Sequence, residues 1–484
     1  MKTPFKTRAD ALGLNPVLSY QRLPNIFYQN AQPQALDAYQ TFYVNESLMA
    51  SLGLPWPKEE AAMASFFAGQ TTFSDHTPIA QAYAGHQFGH FTVLGDGRAV
   101  LLAEMDHQGQ TYDLHLKGSG PTPFARRGDG QATLFAMLKE ALISEALHGL
   151  GLPTTRSLLV GLTGLEVPRE TPQPGAYQVR LAKSHVRVGT FEWAAMHQDR
   201  SHLEALLAYA IKRHDQDLDP SDALGFLRRV ITRQANLIAL WQSVGFVHGV
   251  MNTDNMAISG ETIDYGPCAF LDTYRPNQTF SSIDTHGRYA YNQQPYIASW
   301  NLARLAVSLL PLISDEQAKA VALATEALET FGPTFEAAYA KKMSAKFGFL
   351  NATQDDLQHI NQFFDLMHQH ARDFTETFLE LTFDRYEDAF YQKADVASWV
   401  RWYQKRKTQE VDAFKLQKQH NPALIPRNIT VERLLKTVSL TKDITPFKQY
   451  LDLLKNPYQH TEAQAVHQGP PKNNPTKFVT TCGT

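Results

Sequence analysis

Residues 244–274 read VGFVHGVMNTDNMAISGETIDYGPCAFLDTY, and the polar groups in this stretch decide what the rest of the fold must support. A short apolar approach (Val244, Gly245, Phe246, Val247) leads to His248-Gly249 and then to Asn252-Thr253-Asp254-Asn255. Met256-Ala257-Ile258 and Thr262-Ile263 follow, separated by Ser259-Gly260-Glu261, a spacing that predicts a small hairpin. Its exit delivers Asp264-Tyr265-Gly266. A phosphoryl-transfer site needs such a layout: one carboxylate takes the nucleophile's proton, while an Asn and another Asp hold a divalent metal against the phosphates. On this reading Asp254 is the base, Asn255 and Asp264 are metal ligands, and Asp264-Tyr265-Gly266 corresponds to the kinase Asp-Phe-Gly. Asn255 directly follows Asp254, so this is not an ordinary protein-kinase catalytic loop. The plainer alternative is a surface hairpin whose turns Asp254 and Asn255 cap. His248-Gly249 upstream and Asp-Tyr-Gly downstream favour catalysis.

The whole chain permits that chemistry. At 484 residues it exceeds the usual single core, so two lobes are expected. A hydrophobic content of 43% with 19% charged residues is that of an ordinary soluble enzyme. A net charge of −3 gives no reason to expect nucleic acid or an anionic membrane as partner. No run reaches the roughly 18 apolar residues of a membrane span. The N-terminal residues lack the apolar core of a secretory signal, and two cysteines make no disulfide framework, so the expected compartment is the cytoplasm.

Upstream of the central stretch the pattern is strand-like. Phe91-Thr92-Val93-Leu94 and residues 99–103 flank Gly95-Asp96-Gly97-Arg98, which predicts a hairpin. Gly95 and Gly97 would let backbone N–H groups approach a phosphate, with Arg98 adding charge. Residues 112–117 alternate, so Asp113, His115 and Lys117 share one face. Lys117 can reach a nucleotide's phosphates or sit solvated at an edge. Residues 131–148 predict a helix with a buried stripe of Leu134, Leu138, Ala141 and Leu142. Either Glu140 or Glu145 on that helix can pair with Lys117. Asp129 is placed to cap the helix, leaving Gly130 and the first N–H groups as an anion site. Strand-like runs at 157–162 and 177–182 carry Arg180, with Arg187 just beyond. The two arginines meet one ligand only if Lys183-Ser184-His185 makes a break.

From residue 200 the periodicity is helical, with amphipathic stretches over roughly 315–347, 354–382, 395–419 and 430–455 and a helix ending near Pro311. The expected organisation is a strand-rich N-lobe (1–195), a helical C-lobe (196–455) carrying the catalytic hairpin, and an unstructured tail (456–484). That is an α+β, bilobal, protein-kinase-like fold.

Several long strings then carry a resemblance: Tyr83-Ala84-Gly85-His86-Gln87-Phe88-Gly89, Leu94-Gly95-Asp96-Gly97-Arg98, Leu116-Lys117-Gly118-Ser119-Gly120 and Arg126-Arg127-Gly128-Asp129-Gly130. His248-Gly249-Val250-Met251-Asn252-Thr253-Asp254-Asn255 and Asp264-Tyr265-Gly266-Pro267-Cys268 complete them. In these the chain resembles the selenoprotein O family, from about Tyr83 to the final cysteine. The resemblance implies a kinase-like fold that binds ATP in a flipped orientation and, with magnesium or manganese, transfers AMP to Ser, Thr or Tyr hydroxyls of proteins, with the chain itself among the candidate substrates. It implies Lys117 and Glu140 as the ion pair, and Asp129, Gly130, Arg180 and Arg187 on the turned nucleotide. Gly95, Gly97 and Arg98 would line the same pocket. Asp254 would be the base, with Asn255 and Asp264 as metal ligands. Cys482 stands where some members carry selenocysteine. A conventional kinase moving the γ-phosphate uses the same parts and is the alternative. The expected state is a monomer. Cys268 follows Asp-Tyr-Gly and Cys482 ends the tail, so a reversible disulfide between them is a further expectation.

Overall fold

A computed structural model describes residues 12, 14, 16–74, 76–470 and 478–480. Among these, nine strands form one antiparallel sheet, whose main path runs Tyr28–Asn30, Ile79–Gln81, Ala99–His107, Gln110–Lys117, Gln173–Ala182, Arg156–Val167 and Gln40–Val44. The alternation in residues 112–117 has its expected consequence. Leu114 and Leu116 point to one face, where they join Met63, Phe66 and Phe67 of the Glu60–Phe67 helix in an apolar cluster. Asp113, His115 and Lys117 point to the other face, toward the Leu134–Gly149 helix and the rest of the chain. That helix runs along the sheet with Leu134, Leu138, Ala141 and Leu142 wholly buried.

The remainder is helical, and the Ala223–Ser243 helix threads the main core through Phe226, Leu227, Val230, Ile231 and Ile238. A separate cluster further along, centred on Phe347, Phe363, Phe378, Trp399 and Tyr403, accounts for the late aromatics as core. The structure is thus mixed α and β, with an antiparallel sheet followed by helices. One helical span, Tyr291–Ile313, is long and apolar enough to cross a membrane. Its Ile297, Leu302, Leu305 and Leu309 are built into the main core.

Several expectations are corrected. The strand at His90–Val93 pairs back with Ala84–Gln87, so Gly95-Asp96-Gly97-Arg98 is a connector and not the tip of a hairpin. The runs around Ala257 and Thr262 do not pair with each other. Ala257 bridges to Arg187 and Thr262 to Thr154, because each finds a partner at the margin of the sheet. The helix expected from 131 begins at Leu134 and is capped by Thr133, whose Oγ1 accepts from the Ala136 N–H, so Asp129 is not its cap. The helix expected to end near Pro311 does so: it is Gln294–Ile313, with Pro311 in its last turn. Each of the four long helical stretches is two helices, as in Gln317–Glu329 and Phe331–Lys346. The tail is not featureless: Glu462–Ala465 is helical, and Thr480 pairs with the chain at Ser281.

Candidate active site

Strand register sets the first half of the site. Arg180 lies directly across from His115, and Gln178 from Lys117, so Arg180 and Lys117 project from neighbouring strands on one face. Lys117 Nζ donates to Glu140 Oε1 at 2.5 Å and to Asp264 Oδ1 at 2.8 Å. The choice between glutamates is thereby settled, since Glu145 instead takes Arg156 in a two-pronged pair. Arg180 Nη1 donates to the same Asp264 Oδ1 at 2.6 Å. The strand ends at Ala182, and the Val188–Met196 helix starts after a break that swings Arg187 round to within 3.9 Å of Asp264 Oδ2. Both arginines therefore meet at one carboxylate. Burial works against ionisation of Asp264, but the charges of Lys117, Arg180 and Arg187 outweigh it and hold the carboxyl well below its usual range. Asp264 itself adopts a left-handed backbone (φ 62°), uncommon for a residue with a side chain, and its neighbour Tyr265 is anchored by Thr154 and Thr155 hydroxyls.

Arg187 is buried, rests over the Tyr83 ring at 4.1 Å, and has Nε and Nη1 without hydrogen-bond partners. Buried guanidinium donors are costly unless an acceptor arrives. The acceptor that suits a planar fork is a phosphate or carboxylate.

Asp254 lies in a short 3₁₀ turn, Thr253–Asn255, pressed against the Ala84–Gln87 strand. There is so little space between them that a Cβ at Gly85 would sit 2.4 Å from Asp254 Oδ1. That oxygen is buried and has no partner. Burial pushes the Asp254 carboxyl up to about 6, with Arg187 pulling the other way. A carboxylate tuned toward neutrality, with one free oxygen, is equipped to accept a proton. Asn255 Nδ2 donates to the Val250 carbonyl, so only its Oδ1 could serve a metal ion. Among the described residues no three His, Cys, Asp or Glu side chains form a ready-made metal centre. Asn255 and Asp264 supply the hard oxygen donors that suit magnesium or manganese, ions which habitually take one or two protein ligands and complete their shell with phosphates and water.

The other expected residues lie around this cluster or outside it. The Gly95–Gly97 loop wraps Phe124: a Cβ on Gly95 would meet that ring at 2.4 Å. Arg98 follows, its carbonyl accepting from the Gly118 and Ser119 N–H groups just past Lys117. Gly130 packs on Pro121 with a left-handed backbone, and its carbonyl accepts from Gly120, so residues 128–130 are zipped to the loop after the lysine. Asp129 is exposed and pairs with Arg169. Cys268 is buried, donating to the Tyr265 carbonyl, and burial pushes its thiol up to about 12. Cys482 lies outside the described residues.

The sequence did not show what supports the arginines. His115 Nδ1 faces Arg180 Nη2 at 3.1 Å, and His115 Nε2 faces Asp96 Oδ2 at 3.0 Å. Asp96 Oδ1 lies 3.5 Å from Arg187. Behind them His185 stacks on His115 and pairs with Asp113, which also takes Arg213. The shared face of Asp113, His115 and Lys117 was the one visible sign. Glu192, which accepts from Thr253 and pairs with His86, gave none.

Three cations gathered round one half-buried carboxylate, beside a buried second carboxylate raised toward neutrality, are the kind of site that a group transfer from a phosphate-bearing donor uses. The sequence relationships carry this further. A family model described as protein adenylyltransferase SelO matches residues 11–455. The protein nucleotidyltransferase YdiU of Halalkalibacterium halodurans is 46% identical over 475 residues, covering 96% of each chain. The proteins of that name from Bacillus cytotoxicus and Clostridium botulinum are each 45% identical, over 99% and 98% of both chains. The chain belongs to the SelO family, and it is a protein nucleotidyltransferase.

Proposed function

We propose that this enzyme transfers AMP from ATP to Ser, Thr or Tyr hydroxyls of proteins and releases pyrophosphate. The observation that carries the reading is Arg187: a buried guanidinium near Asp264 and Asp254 whose Nε has no acceptor and whose Nη1 makes no hydrogen bond, with only Asp96 at 3.5 Å. It would donate to the nucleotide's phosphates together with Arg180 and Lys117, which is the requirement of a flipped ATP whose triphosphate enters between sheet and helices. Gly95, Gly97, Arg98, Asp129 and Gly130 would border the same nucleotide. Glu140 would hold Lys117 in place as it does here. Asn255 and Asp264 would hold magnesium or manganese, which when bound neutralises charge developing on the phosphate oxygens. Asp254 Oδ1 would accept the hydroxyl proton as the substrate's hydroxyl oxygen bonds to the α-phosphorus and the bond from that phosphorus to pyrophosphate breaks.

The reading also includes a kinase-like pair of lobes, 1–195 and 196–455, meeting at these residues, in a monomer that can modify itself. It includes redox control through Cys268 and Cys482. In its support, Thr480 Oγ1 donates to the Pro267 carbonyl at 2.8 Å, which brings the tail beside Cys268. The buried, proton-holding thiol means that this pairing needs local opening first. The test of the transfer itself is incubation with ATP labelled at the α position and, separately, at the γ position. AMP transfer labels protein from the α position alone. Label from the γ position alone would make the enzyme a kinase.

A further inference from the structure

The hairpin made by Ala84–Gln87 and His90–Val93 is stapled to the turn that carries Asp254. The His86 N–H donates to Thr253 Oγ1 at 2.7 Å, and the Phe88 N–H to Asn252 Oδ1 at 3.2 Å. Its outer side is apolar and open, with Phe91 and Val93 each 45% exposed. The His86 ring stands edge-on to Phe91 at 5.4 Å and to Trp300 at 5.2 Å, so the open surface continues from the hairpin onto the Gln294–Ile313 helix. Trp300 there carries two guanidinium groups at once, Arg288 at 4.8 Å and Arg304 at 5.1 Å from its ring centre. Among the described residues neither arginine has a carboxylate within salt-bridge distance, and the Nε of each is buried without an acceptor. Two like charges held on one indole repel each other, and a shared anion relieves the repulsion.

We propose that this face docks the segment of the protein substrate that bears the accepting hydroxyl, and that Arg288 and Arg304 bind an Asp or Glu side chain close to that hydroxyl in sequence. The inference rests on the reading of Asp254 as the base of a protein nucleotidyltransferase, and it adds the chemistry by which the acceptor is chosen. Charge complementarity identifies the occupant: two forked donors lie ready for a carboxylate, beside an apolar strip formed by Phe91 and Val93 for the neighbouring residues. The hairpin's hydrogen bonds to Asn252 and Thr253 fix the distance between this face and the base, so the acidic residue would sit at a fixed offset from the hydroxyl.

The experiment uses the full chain, α-labelled ATP and peptides in which one Ser, Thr or Tyr is flanked by Asp and Glu or by Lys. The acidic set should be labelled with a kcat/KM higher by about tenfold or more. The double variant Arg288→Gln with Arg304→Gln should bring the ratio close to one, and Arg288→Glu with Arg304→Glu should reverse it. Arg288→Lys with Arg304→Lys keeps the charge and should keep the preference, which separates lost recognition from lost folding. ATP affinity is measured on each variant by calorimetry. An acidic preference that survives in the double Gln variant overturns the proposal. So does a fall in ATP affinity with the preference unchanged, which would assign these arginines to the nucleotide. If label arrives only from the γ position, the transfer reading fails, yet the flank preference and its dependence on the two arginines are still read in that assay.

Discussion

Gly85→Ala tests the assignment of Asp254 without replacing its carboxylate. The added methyl would sit 2.4 Å from Asp254 Oδ1 and 2.9 Å from Asp254 Cβ and Cγ. Ordinary contact begins near 3.4 Å, so the carboxylate must retreat by about 1 Å (3.4 − 2.4). The strand cannot retreat instead. A Cβ at Gly189 would lie 2.0 Å from the Ala84 carbonyl oxygen and 3.4 Å from Asp254 Cα, so helix, strand and turn are already packed against one another there. The His86 N–H bond to Thr253 also holds the strand to the turn. A displacement of about 1 Å at a reacting group costs on the order of 10²-fold in rate, against about 10²–10⁴-fold for losing a general base outright. The expected outcome is therefore a kcat lower by about 100-fold with ATP affinity close to wild type, because Lys117, Arg180 and Arg187 are not displaced. Overpacking should cost stability as well, about 1–3 kcal/mol. Gly332→Ala is the control: its Cβ meets open space, and neither kcat nor melting temperature should fall. Initial rates with α-labelled ATP, calorimetry of ATP binding and thermal melting give all these values. A Gly85→Ala enzyme with wild-type kcat would refute both the contact and the role given to Asp254.

Lys117→Met leaves Glu140 as a buried carboxylate, one oxygen of which already lacks a partner, and should cost about 3–5 kcal/mol together with nearly all transfer; adding Glu140→Gln should restore much of the stability measured by urea unfolding, and none of the activity. The raised Asp254 carboxyl predicts that kcat/KM climbs with pH through about 6 and then levels. Its folded value lies above its free one, so the ionised form weakens the fold: stability is fullest below the free value and declines as pH rises to about 6. Asp254→Asn should then be inactive yet more stable than wild type at pH 8, by up to about 3 kcal/mol, and equal stability would contradict the burial argument. Lys346 is buried over the Phe378 ring, and burial pushes its ammonium down to about 7. Here the folded value lies below the free one, so stability rises with pH from about 7 toward the free value; Lys346→Met should stabilise at pH 7 by up to about 5 kcal/mol, with the gap closing near pH 10 in urea melts.

The readable parts of this fold were those in which one segment dictates its own geometry. The alternation of residues 112–117 fixed which side chains share a face, and that face is where Lys117 meets Glu140. The break after Ala182 was required for Arg180 and Arg187 to meet, and the chain breaks there. Pairing was less legible, because it depends on which partner is nearest in space. The runs around Ala257 and Thr262 have the spacing of a hairpin, but Arg187 and Thr154 offer their backbones first. The Gly-Asp-Gly motif looked like a turn between its flanking strands for the same reason, when its upstream strand was already committed to Ala84–Gln87. Asp129 has the right residue type for a cap, but Thr133 is closer to where packing starts the helix.

Least legible was the polar support behind the arginines, and its physics shows why. His115 Nδ1 must accept from Arg180, since a guanidinium only donates. Its proton is then on Nε2, where it is donated to Asp96 Oδ2. Burial pushes this imidazole below its ordinary range, Asp96 notwithstanding, so the ring is held neutral in one tautomer. Asp96 in turn lies against Arg187. One aspartate therefore orients both arginines, directly in one case and through a neutral histidine in the other. Its position between Gly95 and Gly97 brings it there, because the connector crosses the end of the strand that carries His115 and Lys117. Read as a sequence, Gly95-Asp96-Gly97 draws attention to its glycines as a phosphate cradle. In the folded chain the residue between them sets the geometry of the site.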